Sequence, residues 1–392
     1  MQALSLFLPC AAGVEELLAA EVRRLLGTER CAVVRGGVAL QASWRDMLCL
    51  NLHSRLAQRV LIRLWQGDYR HEQDLYDAAH AVPWELWFTP RESFKIEVTS
   101  RLSPLKSLNF AALRIKDAIA DRFREKSGSR PDVDTAWPRV RVYVHLGATD
   151  ATLYIDTSGE PLFKRGWREN KGDAPLKETL AAAMIAASGW DAVTPLYDPC
   201  CGSGTIAIEA AQIACGIAPG LLRRFGFEHL IPFVPAVWKT LQGEAQAARR
   251  SEPGAPIFGS DVAHRMVDFA LRNARRAGVE HALQLRGGDA LQRQPPAPSG
   301  VMLVNPPYGE RITSGGVASP DDFFTQLAAH WKKSYSGWTA WILSPDLKLP
   351  SRMRLKESRR IPMWNGPIEC RLFRFDLVAG SARRKPSEPA PK

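Results

Sequence analysis

Leu196-Tyr-Asp198-Pro-Cys-Cys-Gly202-Ser-Gly204-Thr-Ile-Ala207 joins a short apolar run to an alanine-rich helical stretch through a loop with two glycines. Glycines let backbone approach a ligand, and the helix that follows offers unpaired N–H groups at its start. A strand, a glycine loop and a helix in that order open a doubly wound α/β sheet. The loop alone is ambiguous. Gly202-Ser-Gly204 with Ala207 also fits a loose dinucleotide fingerprint, with Glu228 roughly twenty residues on as a nicotinamide enzyme requires. A tight turn without any ligand is the third reading.

The chain downstream repeats the pattern. Pro256 to Gly259, Ala282 to Leu285, Val301 to Val304 and Trp338 to Leu343 read as strands, with helical stretches at Leu176 to Ser188, Thr205 to Cys215 and Val262 to Ala277. The alternation predicts a Rossmann-like α/β domain. Asp261 ends the run Ile257-Phe-Gly-Ser-Asp261, and Asp289 in Gly287-Gly-Asp-Ala290 holds the matching place one unit later. A carboxylate at the first can accept both hydrogen bonds of a ribose diol, and one at the second an adenine amino group. Either aspartate taken singly is more often a cap or loop residue. Asp198, Asp261 and Asp289 at successive strand ends fit one nucleoside cofactor lying across the sheet edge.

Asn305-Pro306-Pro307-Tyr308-Gly309-Glu310-Arg311 follows the strand Val301 to Val304 and narrows the chemistry. An aromatic amine is a poor nucleophile because its lone pair is conjugated into the ring. The Asn305 side-chain oxygen and the Pro306 carbonyl can both accept from the amine, aligning its lone pair with an electrophilic methyl. Tyr308 offers a ring for the base to stack on, and the prolines hold Asn305 extended. A plain proline-rich turn is the bland alternative. The two loops together imply methyl transfer to the exocyclic amine of a nucleobase.

The rest of the chain bounds this reading. Its 392 residues, 45% hydrophobic, suffice for two or three domain cores. Met1 to Cys10 lacks the basic leader of a secretory signal and no apolar run spans a bilayer, which predicts a cytoplasmic protein without membrane attachment. The seven cysteines form no CxxC pair, and neither a disulfide framework nor a metal site is indicated. Net charge is +11, of which residues 171–392 carry +8, and it favours a polyanionic partner. Arg352 to Arg360 and Arg383-Arg-Lys385 are the densest basic clusters; the second lies in a Pro/Ser-rich tail expected to be disordered.

Residues 1 to about 60 mix short strands with helices at Val14 to Leu26 and Trp44 to Leu56. A second α+β block follows, with strands at Phe94 to Thr99, Val140 to Leu146 and Ala151 to Asp156, and a helix from Asn109 to Lys126. Phe110, Leu113, Ala118, Ile119 and Phe123 are its expected core positions, with Arg114, Lys116, Arg122, Arg124 and Lys126 mostly outward, either against RNA or simply solvated. The stretch from Pro219 to Pro253, with Phe225, Phe227, Phe233 and Trp238, reads as an inserted helix or lid.

Further matches carry a resemblance: Ser54-Arg-Leu-Ala-Gln-Arg59, Asp74-Leu-Tyr-Asp77, Arg114-Ile-Lys-Asp117, Arg130-Pro-Asp-Val-Asp134, Asp156-Thr-Ser-Gly159, Lys164-Arg-Gly-Trp-Arg168 and Ala174-Pro-Leu-Lys-Glu-Thr-Leu180. With the two loops, they make the chain, from residue 2 to about 378, similar to the THUMP-containing class I S-adenosylmethionine-dependent RNA methyltransferases. It most resembles the bacterial 23S rRNA guanine-N2 methyltransferase family. The resemblance implies a ferredoxin-like domain over 1–60, an RNA-gripping THUMP domain over 61–156, a linker over 157–173, a Rossmann-like methyltransferase domain over 174–378 and a basic tail over 379–392.

It also implies roles. Asp198, Gly202 and Gly204 meet the methionine end of S-adenosyl-L-methionine, Asp261 its ribose and Asp289 its adenine, while Asn305, Pro306 and Tyr308 form the amine site. The partner is 23S rRNA or a large-subunit precursor. The chain departs from the pattern at Cys200-Cys201, at Phe163 and Trp167, and at Val262-Ala-His264 where a second acid is usual. It lacks the second methyltransferase of fused relatives, so one transfer is expected. Cys200 and Cys201 are expected to pack, not attack. The alternatives are the same reaction on tRNA, adenine-N6 methylation, a non-catalytic assembly factor, and a nicotinamide oxidoreductase that gives Asn305 to Tyr308 no role.

Overall fold

The computed structural model describes residues 3–170, 172, 175–307 and 320–378. Tyr308 and the 379–392 tail fall outside the described residues, as does the basic cluster Arg383 to Lys385. The chain divides into two compact units: residues 1–167, 178–183 and 216–249 form the first, and 168–177, 184–215 and 250–392 the second.

The first unit is built on one seven-stranded sheet in the order β2-β3-β1-β4-β7-β6-β5. Its elements in chain order are β1 (Leu4–Pro9), α1 (Glu15–Leu26), β2 (Cys31–Val34), β3 (Gly37–Ala42), α2 (Trp44–His53), β4 (Leu61–Asp68), α3 (Glu72–Ala81), β5 (Phe94–Ser100), α4 (Leu108–Ser127), β6 (Val140–Leu146) and β7 (Asp150–Asp156). Alternating apolar residues such as Leu6 and Leu8 face the core of this sheet. A capping box of Ser43 and Asp46 starts α2, where the side chain of each accepts from the backbone of the other. The antiparallel pair β1/β4, with Leu6 opposite Ile62, makes the two N-terminal α+β blocks a single continuous sheet.

Helix α4 differs from its expected pattern. Ala111, Ile115, Ala118, Ile119 and Phe123 are buried, whereas Phe110 is 50% and Leu113 51% exposed. At 100° per residue those two lie on the side opposite Ala111 and Ile115, so the expected core assignment for them is wrong.

The stretch after β7 is packed, not open. Arg165 is buried and donates to the carbonyls of Leu162 and Arg55, both at 2.8 Å.

The second unit holds α5 (Glu178–Ser188, its first residues counted with the first unit), β8 (Leu196–Asp198) and α6 (Thr205–Ala214). The chain then returns to the first unit over 216–249, which includes α7 (Pro235–Ala247). There Phe227 stacks on Phe225 at 5.0 Å between ring centroids and meets Trp238 edge-on, also at 5.0 Å. Arg223 fastens this segment by donating to the carbonyls of Ser158 (3.0 Å) and Pro161 (2.7 Å). The stretch is therefore an inserted helix whose aromatics are spent on its own core.

Back in the second unit follow β9 (Ile257–Asp261), α8 (His264–Arg276), β10 (Leu283–Gly287), β11 (Gly300–Val304), α9 (Pro320–Ser334), β12 (Trp338–Ser344), α10 (Leu349–Met353), β13 (Arg359–Asn365) and β14 (Ile368–Asp376). The sheet runs β10-β9-β8-β11-β12-β14-β13; its first five strands are parallel, and β14 and β13 antiparallel. The chain builds β8, β9 and β10 in one direction and β11 and β12 in the other. Their meeting place, between β8 and β11, is the topological switch point where such sheets bind ligands. Trp331, Trp338, Ile342 and Phe373 fill the core beside it.

Candidate active site

Register brings the expected residues to one sheet edge in steps. Tyr197 is opposite Met302 across β8/β11, so Asp198 lies one residue beyond that pair and Asn305 three, on strands about 4.8 Å apart. Asp198 is opposite Gly259 across β8/β9, which puts Asp261 two residues further out. Gly287 is opposite Asp261 across β9/β10, and Asp289 again lies two residues beyond. Asp198, Asp261, Asp289, Asn305 and Pro306 therefore share the carboxyl edge of the parallel sheet.

The glycine loop turns there on left-handed backbone, with φ of 53° at Gly202 and 89° at Gly204. The two glycines differ in surroundings. A Cβ on Gly204 would lie 3.0 Å from Ala270 Cβ on α8 and 3.2 Å from Ile208 Cδ1, while one on Gly202 would meet only Met266, at 3.9 Å. Gly204 thus sets the approach of α6 to α8, and Gly202 leaves open space over the loop.

Both oxygens of Asp261 shape this loop. Oδ2 accepts from Gly202 N–H and Oδ1 from Ala263 N–H, each at 2.9 Å. Each keeps a second lone pair for a diol. Asp289 Oδ1 likewise accepts from Leu291 N–H at 2.9 Å.

Asp198 is in a different state. It is 1% exposed, and its Oδ1 accepts from Cys200 N–H at 3.2 Å. Burial pushes its carboxyl pKa up to about 8, partly offset by that N–H and reinforced by the like charge of Asp261. Among the described residues no cation offsets this shift, so the edge offers a buried acid to a cationic ligand. Cys200 and Cys201 are both held well above the ordinary thiol range by burial and by neighbouring carboxylates. They are thiols at neutral pH, unsuited to nucleophilic attack.

Several supporting residues escape the sequence reading. Arg168 Nη1 donates to Ser203 Oγ at 2.9 Å and its Nη2 to Thr205 Oγ1 at 2.8 Å, bracing the glycine loop from the segment before α5. Fully buried Asn273 on α8 donates to the Ser203 carbonyl at 3.1 Å and the Asn170 carbonyl at 2.8 Å. Tyr197 Oη and Ser260 Oγ are 2.7 Å apart beneath the loop. Arg168 closes one of the quoted motifs; Asn273 sits in a helix of ordinary polarity and gives no sequence signal. Among the described residues there is no cluster able to hold a metal and no helix long and apolar enough to cross a membrane.

Comparisons place this geometry in a family. Residues 165–374 match the RMKL-like methyltransferase domain, 69–156 a THUMP domain and 5–61 the RlmL ferredoxin-like domain. Ribosomal RNA large subunit methyltransferase K/L of Shewanella amazonensis is 41% identical over 377 residues, which cover 95% of this chain and 53% of that protein. The chain thus spans about half the length of the curated relatives it matches. The structure of SMU.472 complexed with SAH superposes with a TM-score of 0.86 at 28% identity, over 98% of this chain and all of that one. A predicted N6-adenine-specific DNA methylase from Listeria monocytogenes superposes with a TM-score of 0.85 at 29% identity, over 96% of each chain. A parallel sheet with an acid-lined switch point, matched over more than half the chain, makes this protein a member of the RMKL-like methyltransferase family, with THUMP and RlmL ferredoxin-like domains ahead of it.

Proposed function

We propose that this protein transfers a methyl group from S-adenosyl-L-methionine to the N2 amine of a guanine in 23S rRNA, working in the cytoplasm on the rRNA or a large-subunit precursor. The observation that supports this most is the emergence of Asp198 and Asn305 from adjoining parallel strands at the switch point. A cofactor held by the first strand would meet a base held by the second. The SAH complex of SMU.472 and the name of the Shewanella relative support the cofactor and the substrate.

Each residue then has a task. Asp198 faces the cationic methionine end, with Gly202 and Gly204 giving it room; Asp261 accepts from the ribose diol and Asp289 from the adenine amine. The bound cofactor supplies a methyl on a positively charged sulfur. Asn305 Oδ1 and the Pro306 carbonyl accept the two N–H bonds of the guanine amine, turning its lone pair toward that methyl. The methyl passing from that sulfur to the amine would leave positive charge on the nitrogen, and the Asn305 and Pro306 oxygens would stabilise it. The surplus proton leaves to water. Tyr308 stacks on the base. No cysteine takes part.

The test is transfer of labelled methyl to 23S rRNA and, separately, to tRNA from a strain lacking this gene, with nucleosides identified by mass spectrometry. N2-methylguanosine in 23S rRNA is the expected product. Label confined to tRNA, or N6-methyladenosine, would move the assignment to those substrates. Cofactor binding without transfer to rRNA, tRNA or precursor particles would mark an assembly factor.

A further inference from the structure

The hairpin of β13 and β14 outruns the sheet that it closes. Across β11/β12 Val304 is opposite Ile342, so Pro306, two residues on, comes level with Ser344. Ser344 is opposite Arg371 across β12/β14, and β14 runs antiparallel, so its earlier residues lie further out. The last pair of the hairpin, Asn365 opposite Ile368, therefore stands three residues, about 10 Å, beyond the level of Pro306. β14 is also two strands from β11, about 10 Å sideways. A two-residue turn closes the hairpin: Gly366 has a φ of 64° and the Pro367 ring fixes its own, so the tip keeps its shape without packing. All of these strands belong to the second unit.

Side-chain alternation decides which residues of the tip share a face with the site. Asn365, Ile368 and Leu372 lie on one face of the hairpin, and Leu372 is opposite Leu343 of β12. Trp341, two residues before Leu343, is opposite Leu303 of β11, and Leu303 follows Met302, which is opposite Tyr197. Asn365 and Ile368 thus share the face of Asp198. Charge then selects the occupant. Arg360 pairs with Glu357 and Arg371 with Glu369, each at 2.6 Å, and Arg374 with Asp376 at 2.9 Å, so the hairpin's arginines near the tip are spent on acids and do not offer themselves to a phosphate. On this face the tip shows an aliphatic chain, Ile368, 46% exposed, and a half-buried amide, Asn365, whose side chain has no hydrogen-bond partner among the described residues. An apolar contact beside a free donor and acceptor suits a nucleobase, which has an apolar face and polar edges.

We propose that Asn365 and Ile368 form a second base-binding position, which receives an unpaired nucleotide near the methylated one and so sets the sequence context in which the protein acts. Ile368 packs on the base, and the Asn365 amide reads its polar edge as donor and acceptor at once. With both offsets, the tip stands roughly 14 Å from Pro306, too far to touch the reacting amine and within reach of a nearby nucleotide of the same strand. The position is continuous with the methyl-transfer edge and uses none of its residues. It rests on the reading above that the substrate is RNA.

The experiment measures kcat/KM of the full chain on transcribed 23S rRNA in which the nucleotides flanking the methylated one, mapped by mass spectrometry, are changed one at a time, with S-adenosylhomocysteine affinity and Tm as controls. The wild-type protein is expected to discriminate about tenfold at one flanking position, the share of one base-edge contact, and Asn365→Ala to bring that ratio within about twofold. Asn365→Asp, which keeps acceptors and loses the donor, should change which nucleotide is preferred. Ile368→Asp should lower kcat/KM about tenfold on every sequence, and at an exposed position it tests the tip even if the Asn365 variants fold poorly. Cofactor affinity stays unchanged throughout. Retained discrimination in a folded Asn365→Ala overturns the proposal, as does wild-type kcat/KM in Ile368→Asp. So does a matching fall in cofactor affinity, which would make the hairpin a support of the cofactor edge, or a wild-type protein indifferent to every flanking nucleotide. Where the wild-type protein methylates 23S rRNA and the variants behave like it, this inference fails alone; where the wild-type protein methylates no RNA, the substrate reading fails with it.

Discussion

Asn305 and Asp198 stand three residues and one residue past a paired position on neighbouring strands, and their predicted behaviour differs. Asn305→Ala removes an acceptor that orients the amine and stabilises the charge that develops on it. It is expected to lower the single-turnover rate roughly a hundred- to a thousandfold while cofactor affinity, read by calorimetry, stays at its wild-type value. A matching loss of cofactor affinity would place Asn305 in cofactor binding instead. Asp198 is a titration problem. Its folded-state pKa, about 8, lies above the unfolded value, so its contribution to stability is full below the ordinary carboxylate range and is lost as pH rises through about 8. Asp198→Asn should therefore flatten the fall in Tm of the ligand-free protein between about pH 4 and 8. S-adenosylmethionine binding near pH 7 should release a proton, measured as a dependence of the calorimetric heat on the buffer's ionisation enthalpy. Binding without proton release would show that Asp198 does not change protonation when the cofactor binds.

At the scale of elements, the glycine loop and its two neighbouring helices divide the work. Gly204→Ala forces a side chain into left-handed backbone and against Ala270, and is expected to cost about 1–3 kcal/mol and loosen cofactor binding. Gly202→Ala meets open space, so thermal unfolding should show a smaller loss; the reverse order would contradict the packing role of Gly204. The strands around this loop were legible because a parallel strand covered on both faces is a plain apolar run, as Val301 to Val304 is. Others were not. β4 passes unread because a register shift between Arg63 and Trp65 breaks its alternation. The β13/β14 hairpin hides in the basic stretch after Arg352: it is the sheet edge, where Arg359 and Arg360 stay exposed. Phe110 and Leu113 satisfy a helical period, yet periodicity cannot distinguish an apolar residue facing the core from one left half exposed. The acidic strand ends were readable as a series because the fold repeats; Asn273 and Ser260, which support the loop, are ordinary polar residues until the chain is folded.

The whole molecule is interleaved: the first unit is completed by residues 216–249, which arrive after β8 and α6 of the second. Trp238, buried against Phe225 and Phe227, belongs to that completion. Trp238→Ala should cost about 3–5 kcal/mol, lowering the Tm of the first unit, with affinity for S-adenosylmethionine little changed. A variant of normal Tm with an altered KM for RNA would instead make the segment a moving cover. The interleaving also sets a schedule for synthesis. A nascent chain that has released its first 167 residues still lacks the aromatic insert and the Arg223 fastening, so the first unit cannot reach its finished core until residue 249 has emerged. By then the glycine loop and α6 are already outside the ribosome, waiting for β9 to β12, and the two units must mature together instead of one after the other.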